Sequence, residues 1–172
     1  MPETILVSAC LLGFRCRYDG TAKINLQALA FLRDHGFTPV PVCPEQLGGL
    51  STPRSPCRFD CGDGTGVLNG NGRLFDDQGQ DRTGAFLRGA HAALAITRDH
   101  GCRLALMKER SPSCGPHWVH DRQGIQTGSG VAATLLKREG IPVFSEEELA
   151  ALEEFLNNAA LKEKILVKSK QE

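Results

Sequence analysis

The chain has 172 residues, 41% hydrophobic and 23% charged, and its 20 Lys and Arg residues balance 20 Asp and Glu residues. These values are typical of one globular domain with a substantial core, and the zero net charge argues against a nucleic-acid polymer as partner. No basic region precedes an apolar one at the start of the chain, and no apolar run approaches the roughly 20 residues of a membrane span. We therefore expect a cytoplasmic protein without a membrane partner.

Strand-like and helix-like segments alternate along the chain. In chain order they are a strand at 4–9, a helix at 24–34, a strand at 38–42, a helix at 83–100, a strand at 103–107, a helix at 131–140, a strand at 141–144 and a last helix. Ser145 and Glu148 form a capping box at the start of that helix. The alternation predicts an open, mostly parallel, Rossmann-like α/β sheet with helices on both faces. We place this single domain at residues 1–160 and a polar C-terminal tail at 161–172.

The segment between the second strand and the second helix has a different composition. Residues 43–72 are rich in Gly, Pro and Asp and lack helical periodicity. We interpret the segment as a long functional loop, with a short hairpin near residues 66–75. Within it, Arg54 is expected to pair with an anionic cluster or with Asp60.

Three of the seven cysteines follow predicted strands. Cys10 follows the first strand, Cys43 the second, and Cys114 lies in the loop after the third. Because sites in open α/β sheets form beyond the carboxyl ends of the strands, we expect these thiols to meet. Three soft ligands suit an iron–sulfur cluster, or zinc with one open position. A structural zinc site would need a fourth ligand such as Cys16, and ordinary buried thiols are a further alternative.

The remaining cysteines carry weaker signals. Cys16 is interpreted as a nearby or packed thiol and is assigned no ligand role. Cys57 and Cys61 have Cys-x3-Cys spacing without a matching second pair, which favours a surface loop pair over a metal site. Cys102 opens a strand and is expected in the core.

Five motifs stand in order along the chain: Ser8-Ala9-Cys10-Leu11-Leu12-Gly13, Cys16-Arg17-Tyr18-Asp19-Gly20, Cys43-Pro44-Glu45, Gly48-Gly49-Leu50 with Pro53-Arg54, and Ser111-Pro112-Ser113-Cys114-Gly115. With them, residues 4–149 resemble the DUF523 family, whose members include thiouracil desulfidases. The resemblance implies a cytoplasmic enzyme with a 4Fe–4S cluster held by Cys10, Cys43 and Cys114. Its fourth iron is open and takes the substrate sulfur. The chain departs from the family at residues 55–58, where a small residue and a Glu are usual, and it adds Cys61.

The resemblance also implies the reaction and the residues that perform it. The thiocarbonyl sulfur of a small thiolated nucleobase is replaced by oxygen from water without redox chemistry, and the acceptor of the released sulfide is not indicated. The catalytic residues are Glu45 and Ser111, with Ser113 as the alternative serine. Ser113 and Asp19 are candidate substrate contacts, although Asp19 is equally suited to an Asx turn. The alternative function is a non-catalytic iron–sulfur or zinc protein that senses redox state or carries sulfur.

Overall fold

Four short apolar segments build the central sheet of the molecule. The computed structural model describes residues 3–168, with side chains as far as residue 160. Within this range the α-helices and strands are β1 Thr4–Ser8, α1 Leu26–Asp34, β2 Thr38–Val42, α2 Pro44–Leu47, β3 Cys57–Phe59, α3 Gly64–Leu68, β4 Leu74–Asp76, α4 Thr83–Asp99, β5 Ala105–Met107, β6 Trp118–His120, β7 Ile125–Thr127, α5 Val131–Arg138, β8 Val143–Ser145 and α6 Leu149–Lys168. A 3₁₀ turn at Ala9–Leu12 follows β1.

The sheet has the strand order β2-β1-β5-β8, and every neighbouring pair is parallel. β1 lies inside the sheet, where Leu6 is in register with Val40 on one side and Ala105 on the other. Strands covered on both faces are apolar throughout, which explains the unbroken Ile-Leu-Val run of β1. β2 contains Pro39 and Pro41, residues without an N–H donor, and it accordingly forms an edge.

Helices cover both faces of this sheet. Alternate side chains of β1 point to opposite faces, so Ile5 and Val7 pack in one cluster and Leu6 in another. The first cluster includes Leu32 of α1 and Leu152 of α6, and the second includes apolar residues of α4 and α5. The predicted fold class, an open parallel sheet with helices on both faces, is confirmed.

The interpretation of residues 43–72 as a long loop with a hairpin near 66–75 is wrong. This segment contains α2, β3 and α3, and the hairpin pairs β3 with β4, so that Cys57 lies opposite Asp76. α2 and α3 have only four and five residues, which is too short for a helical pattern to appear in the sequence. The sequence also failed to predict the β6–β7 hairpin, whose strands have three residues each.

Only half of the predicted capping box forms, and it lies before α6, which begins at Leu149. Glu148 Oε2 accepts the backbone N–H of Ser145 at 2.8 Å, and Ser145 Oγ accepts the N–H of Glu147 at 3.1 Å. The helix continues to Lys168, so residues 161–168 of the predicted tail are helical, and residues 169–172 lie outside the described residues. The domain boundary at residue 160 stays a prediction. Among residues 3–168, none of the helices combines the length and the apolar character needed to cross a membrane.

Candidate active site

The strand order creates a crevice at the carboxyl end of the sheet. β2 lies on one side of β1 and β5 on the other, so the connections diverge beyond the ends of β1 and β5. Cys10 lies in the 3₁₀ turn after β1, Cys43 lies directly between β2 and α2, and Cys114 lies in the loop after β5. All three line one cavity of about 420 Å³. The structure therefore brings together the three thiols that the sequence predicted to meet.

The loop that presents Cys114 is fixed by its own serine. Ser111 Oγ accepts the backbone N–H of Ser113 at 3.3 Å and that of Cys114 at 3.1 Å. Gly115 is the next residue. A Cβ at this position would stand 2.5 Å from the carbonyl oxygen of Trp118, so no side chain fits there. Ser111 lines the cavity, and Ser113 is only 2% exposed. The two candidate serines thus occupy different positions, one at the cavity surface and one behind it.

A buried carboxylate anchors the same loop from the other side. Glu109 is 2% exposed, and its Oε1 accepts the backbone N–H groups of His117 at 3.1 Å and Trp118 at 3.0 Å. The neighbouring Lys108 forms an ion pair with Glu146. These contacts join the cavity loop to β6 and to the start of α6, so Cys114 is held by long-range as well as local bonds.

Glu45 enters the site from the first turn of α2, two residues after Cys43. Its Oε2 forms an ion pair with Arg54 Nε at 2.7 Å, and these side chains are 13% and 7% exposed. Its Oε1 accepts a hydrogen bond from Ser113 Oγ at 3.2 Å, and Ser113 Oγ lies 3.1 Å from Ser111 Oγ. A continuous hydrogen-bonded chain therefore runs from the guanidinium through the carboxylate to the cavity serine.

The predicted pairing of Arg54 with Asp60 is wrong, and its pairing with an anionic cluster stays a prediction. Arg54 binds Glu45, whereas Asp60 pairs with Arg122 at 2.7 Å. The other nitrogens of Arg54 donate to the carbonyls of Cys16 at 3.0 Å and Ser51 at 3.1 Å. The side chain thereby ties the loop after β1 to the turn that carries the carboxylate.

Two further thiols, of Cys16 and Cys57, line the cavity. Cys16 was expected as a nearby or packed thiol, whereas Cys57 was expected in a surface loop pair. Cys16 is 5% exposed, and Cys57, expected in a surface pair with Cys61, is 8% exposed, while Cys61 is exposed. A signal for Cys16 existed in its motif with Tyr18 and Asp19, but for Cys57 we find none. Cys102 lies in the core as expected.

The pKa values of three cavity thiols, those of Cys16, Cys43 and Cys114, are raised above the ordinary value. Burial raises the pKa of Cys114 to about 12, and hydrogen bonding with Cys16 followed by burial raises the pKa of Cys43. Hydrogen bonding with Cys10 is the largest influence that raises the pKa of Cys16 to about 11. Metal ligation needs thiolates, so loading this site would release protons.

Cationic side chains surround these sulfurs. Arg17, Lys23, Arg58, Lys108 and Arg110 all line the cavity. Lys108 and Arg110 are already paired with Glu146 and Glu147, so Lys23 and Arg58 are the better placed to offset the negative charge of three thiolates. Several soft sulfur donors that line one cavity fit an iron–sulfur cluster better than a hard cation such as magnesium.

Two candidates for substrate contact lie elsewhere. Asp19 forms an Asx turn, accepting the backbone N–H of Thr21 at 3.0 Å and its hydroxyl at 2.6 Å, and it is not among the residues that line the cavity. Ser113 does not line the cavity itself but contacts three residues that do, through Ser111 Oγ at 3.1 Å, Glu45 Oε1 at 3.2 Å and Cys114 Sγ at 3.7 Å.

Comparisons with known proteins identify the family of the chain. Residues 5–148 match the family model described as 2-thiouracil desulfurase. The uncharacterized protein YbbK of Bacillus subtilis (strain 168) is 41% identical over 148 residues, which are 84% of this chain and 97% of that protein. The solved structure of the 4Fe–4S-dependent thiouracil desulfidase TudS matches with a TM-score of 0.77 and 40% identity, over 90% of this chain and 98% of that one. The chain belongs to the 2-thiouracil desulfurase family, also called DUF523, as its motifs predicted, and it is an enzyme of that family.

Proposed function

We propose that Cys10, Cys43 and Cys114 hold a 4Fe–4S cluster with one open iron, and that the enzyme hydrolyses the C=S bond of a thiouracil-like pyrimidine. The observation that supports this most directly is the meeting of three strand-end thiols with Glu45 in one cavity. The solved relative is described as 4Fe–4S-dependent, which agrees with the sulfur-rich donor set. When bound, such a cluster supplies a Lewis acid that binds the thiocarbonyl sulfur and polarises the C=S bond.

The side chains of this chain then direct a water molecule. The carbon of the polarised C=S bond needs a nucleophile, and Glu45 lies two residues from a ligand, so its carboxylate can accept a proton from water at that carbon. Arg54 holds this carboxylate in place at 2.7 Å. Ser111, at the cavity surface, orients the water or the polar edge of the base.

Protons can move along the hydrogen-bonded chain behind the cavity. Ser113 links Glu45 to Ser111 through contacts of 3.2 and 3.1 Å, so a proton taken up by the carboxylate can return to the cavity. The water oxygen forms a bond to the carbon, the C–S bond breaks, and the sulfur leaves with the protons of the water. The balance is C=S plus water to C=O plus hydrogen sulfide, with no change of oxidation state.

The test uses protein purified without oxygen and incubated with 2-thiouracil. We expect uracil and sulfide in equal amounts, measured by chromatography and by a colorimetric sulfide assay. Glu45→Gln removes the proton acceptor, so kcat should fall about 10²–10⁴-fold while iron content and the visible cluster spectrum stay unchanged. Glu139→Gln, which alters a surface carboxylate paired with Arg98, is the matched control.

Each failure has a distinct meaning. Protein that carries the cluster but releases no sulfide would leave the alternative of a binding protein for sensing or sulfur transfer. Wild-type turnover by Glu45→Gln would remove the carboxylate from the mechanism. Loss of iron from Cys10→Ser alone, but not from Cys43→Ser or Cys114→Ser, would refute the ligand set.

A further inference from the structure

Lys108 brings an ammonium group to the point of the sheet where the crevice begins. It is the first residue after β5, and it lines the cavity together with Ser8, the last residue of β1, and with Cys10. The backbone N–H of Lys108 donates to Ser8 Oγ at 2.9 Å, which joins the two strand ends. Because the connections of the sheet diverge between β1 and β5, ligands of open α/β sheets bind at this point. Lys108 is therefore fixed beside the turn that presents Cys10.

The ammonium of Lys108 has more donors than the protein uses. An ammonium group carries three N–H donors. In the part of the chain that the structure describes, Nζ has two acceptors, the carboxylate of Glu146 and the backbone carbonyl of Glu109 at 3.1 Å. The side chain of Lys108 is 14% exposed and that of Glu146 is 6% exposed, so both charges lie largely out of bulk water. One N–H of a fixed, poorly solvated ammonium therefore remains for a molecule in the cavity.

The partner of Lys108 decides which kind of group this remaining N–H suits. The positive charge is already balanced by Glu146. A carboxylate or phosphate placed against the ammonium would also meet the negative charge of Glu146, which repels it. The carbonyl oxygen of an uncharged heterocycle meets no such repulsion, and a hydrogen bond from a charged donor is stronger than one between neutral groups. The site is therefore suited to a neutral oxygen acceptor.

We infer that Lys108 is a substrate-binding residue that donates a hydrogen bond to the ring carbonyl oxygen of the thiolated pyrimidine. The inference rests on the proposed function, in which the sulfur of the substrate is bound at the open iron. A base attached through its sulfur alone can still turn about the bonds to that sulfur. A second contact fixes the ring, so that the C=S carbon keeps one face toward Glu45 and its water. Orientation of this kind is a major source of rate enhancement.

The experiment compares two substrates that differ at the carbonyl. 2-Thiouracil has a ring carbonyl and pyrimidine-2-thione lacks it, and kcat/KM is measured for both on cluster-loaded protein kept free of oxygen. Where pyrimidine-2-thione is not turned over, its inhibition constant against 2-thiouracil takes the place of its kcat/KM. The ratio of the two values within one protein cancels the intrinsic reactivity of each base and any difference in cluster content. Only a change in recognition of the carbonyl alters this ratio between proteins.

The variant Lys108→Met removes the ammonium and keeps much of the side-chain volume. We expect it to lose about 10–100-fold in kcat/KM for 2-thiouracil, as for a hydrogen bond from a charged donor, and to act on or bind pyrimidine-2-thione nearly as the wild type does. The ratio should fall by the same factor. Lys137→Met is the matched control, because it removes a lysine of α5 that bonds the carbonyl of Pro116 and does not line the cavity. Its ratio should equal that of the wild type.

A second pair of variants separates recognition from stability. Lys108→Met leaves Glu146 as a buried carboxylate without its cation, which lowers stability. The double variant Lys108→Met/Glu146→Gln removes that unpaired charge, and its reference is Glu146→Gln, which keeps the ammonium. We expect the same fall in the ratio between these two proteins as between Lys108→Met and wild type. The comparison therefore decides even if Lys108→Met does not fold.

Two results would overturn the inference and leave the proposed function intact. Equal losses for both compounds would mean that Lys108 holds the loop or the attacking water and makes no bond to the carbonyl. Unchanged kcat/KM for 2-thiouracil would mean that the ammonium does not reach the substrate. A third result falls on the proposed function itself: wild-type protein that carries its cluster and releases no sulfide from 2-thiouracil would overturn that function, and the inference with it, before any variant is compared.

Discussion

Arg54 and Glu45 should contribute jointly to the free energy of unfolding, because each side chain leaves the other as a poorly solvated charge when it is removed. We consider Arg54→Met, which keeps much of the side-chain volume and removes the charge and all its donors. The side chains are 7% and 13% exposed, so neither charge is well solvated after its partner is removed. Breaking a buried pair by removing one partner costs about 3–5 kcal/mol. We expect a value near the lower end, about 3 kcal/mol, because Ser113 still donates to the carboxylate.

The assay is a double-mutant cycle with Glu45→Gln. Free energies of unfolding are measured by urea denaturation without oxygen, on proteins of equal iron content, since a bound cofactor otherwise changes the unfolding equilibrium. The double variant no longer contains an unpaired carboxylate, so it should be more stable than the sum of the single losses predicts, by about 2 kcal/mol. Additivity within about 0.5 kcal/mol would mean that the two groups do not interact, and would refute this account. Arg54→Lys keeps the charge but not the planar fork, and should recover only part of the loss.

Two other predictions concern the frame around the site. The carboxylate of Asp76 accepts the backbone N–H of Gln80 and pairs with Arg82, and these bonds lower the pKa of Asp76 below its ordinary value. Its contribution to stability is therefore present above about pH 4 and is lost as the pH falls through the folded-state pKa, so the thermal midpoints of wild type and Asp76→Asn should converge in acid. In α4, a Cβ at Gly89 would stand 1.8 Å from the first carbonyl of α2. Gly89→Ala should cost about 1–3 kcal/mol in urea unfolding and displace the turn that carries Glu45, whereas Gly84→Ala on the same helix should be harmless; equal effects would contradict this packing argument.

Local signals predicted the sheet and the meeting of the three strand-end thiols in one cavity. β2 has the predicted bounds of 38–42, because its proline-spaced apolar pattern is complete within five residues. Cys10, Cys43 and Cys114 could be placed because each follows a strand, and parallel strands bring their carboxyl ends to one edge. The family motifs added the carboxylate, since Glu45 is only two residues from Cys43.

The rest of the cavity depends on chain paths that local patterns do not encode. Cys16 returns to Cys10 through a turn at Gly13, whose φ of 100° is accessible mainly to glycine. Cys57 reaches the cavity wall because β3 pairs with β4, a three-residue strand some 15 positions later in the chain. Such short pairings carry little periodicity, so Cys57 could not be assigned to the site from the sequence, whereas Cys16 could be predicted only as a nearby or packed thiol.

Some parts of the site are built from residues close together in the sequence and others from distant segments, and this difference decides which parts of the cavity can change independently. Cys43 and Glu45 lie together at the start of α2, and Ser111 and Cys114 lie in one hydrogen-bonded turn of the loop after β5. The bond from Ser113 to Glu45 joins these two segments. The distance from ligand to carboxylate is therefore set by the backbone of short, rigid segments and survives changes elsewhere. The wall that includes Cys57 is delivered by a separate hairpin, at the point where the chain departs from the usual family pattern. Since the chemistry and the wall are carried by different segments, a change of substrate can be accommodated at the wall without moving the carboxylate or the three thiols.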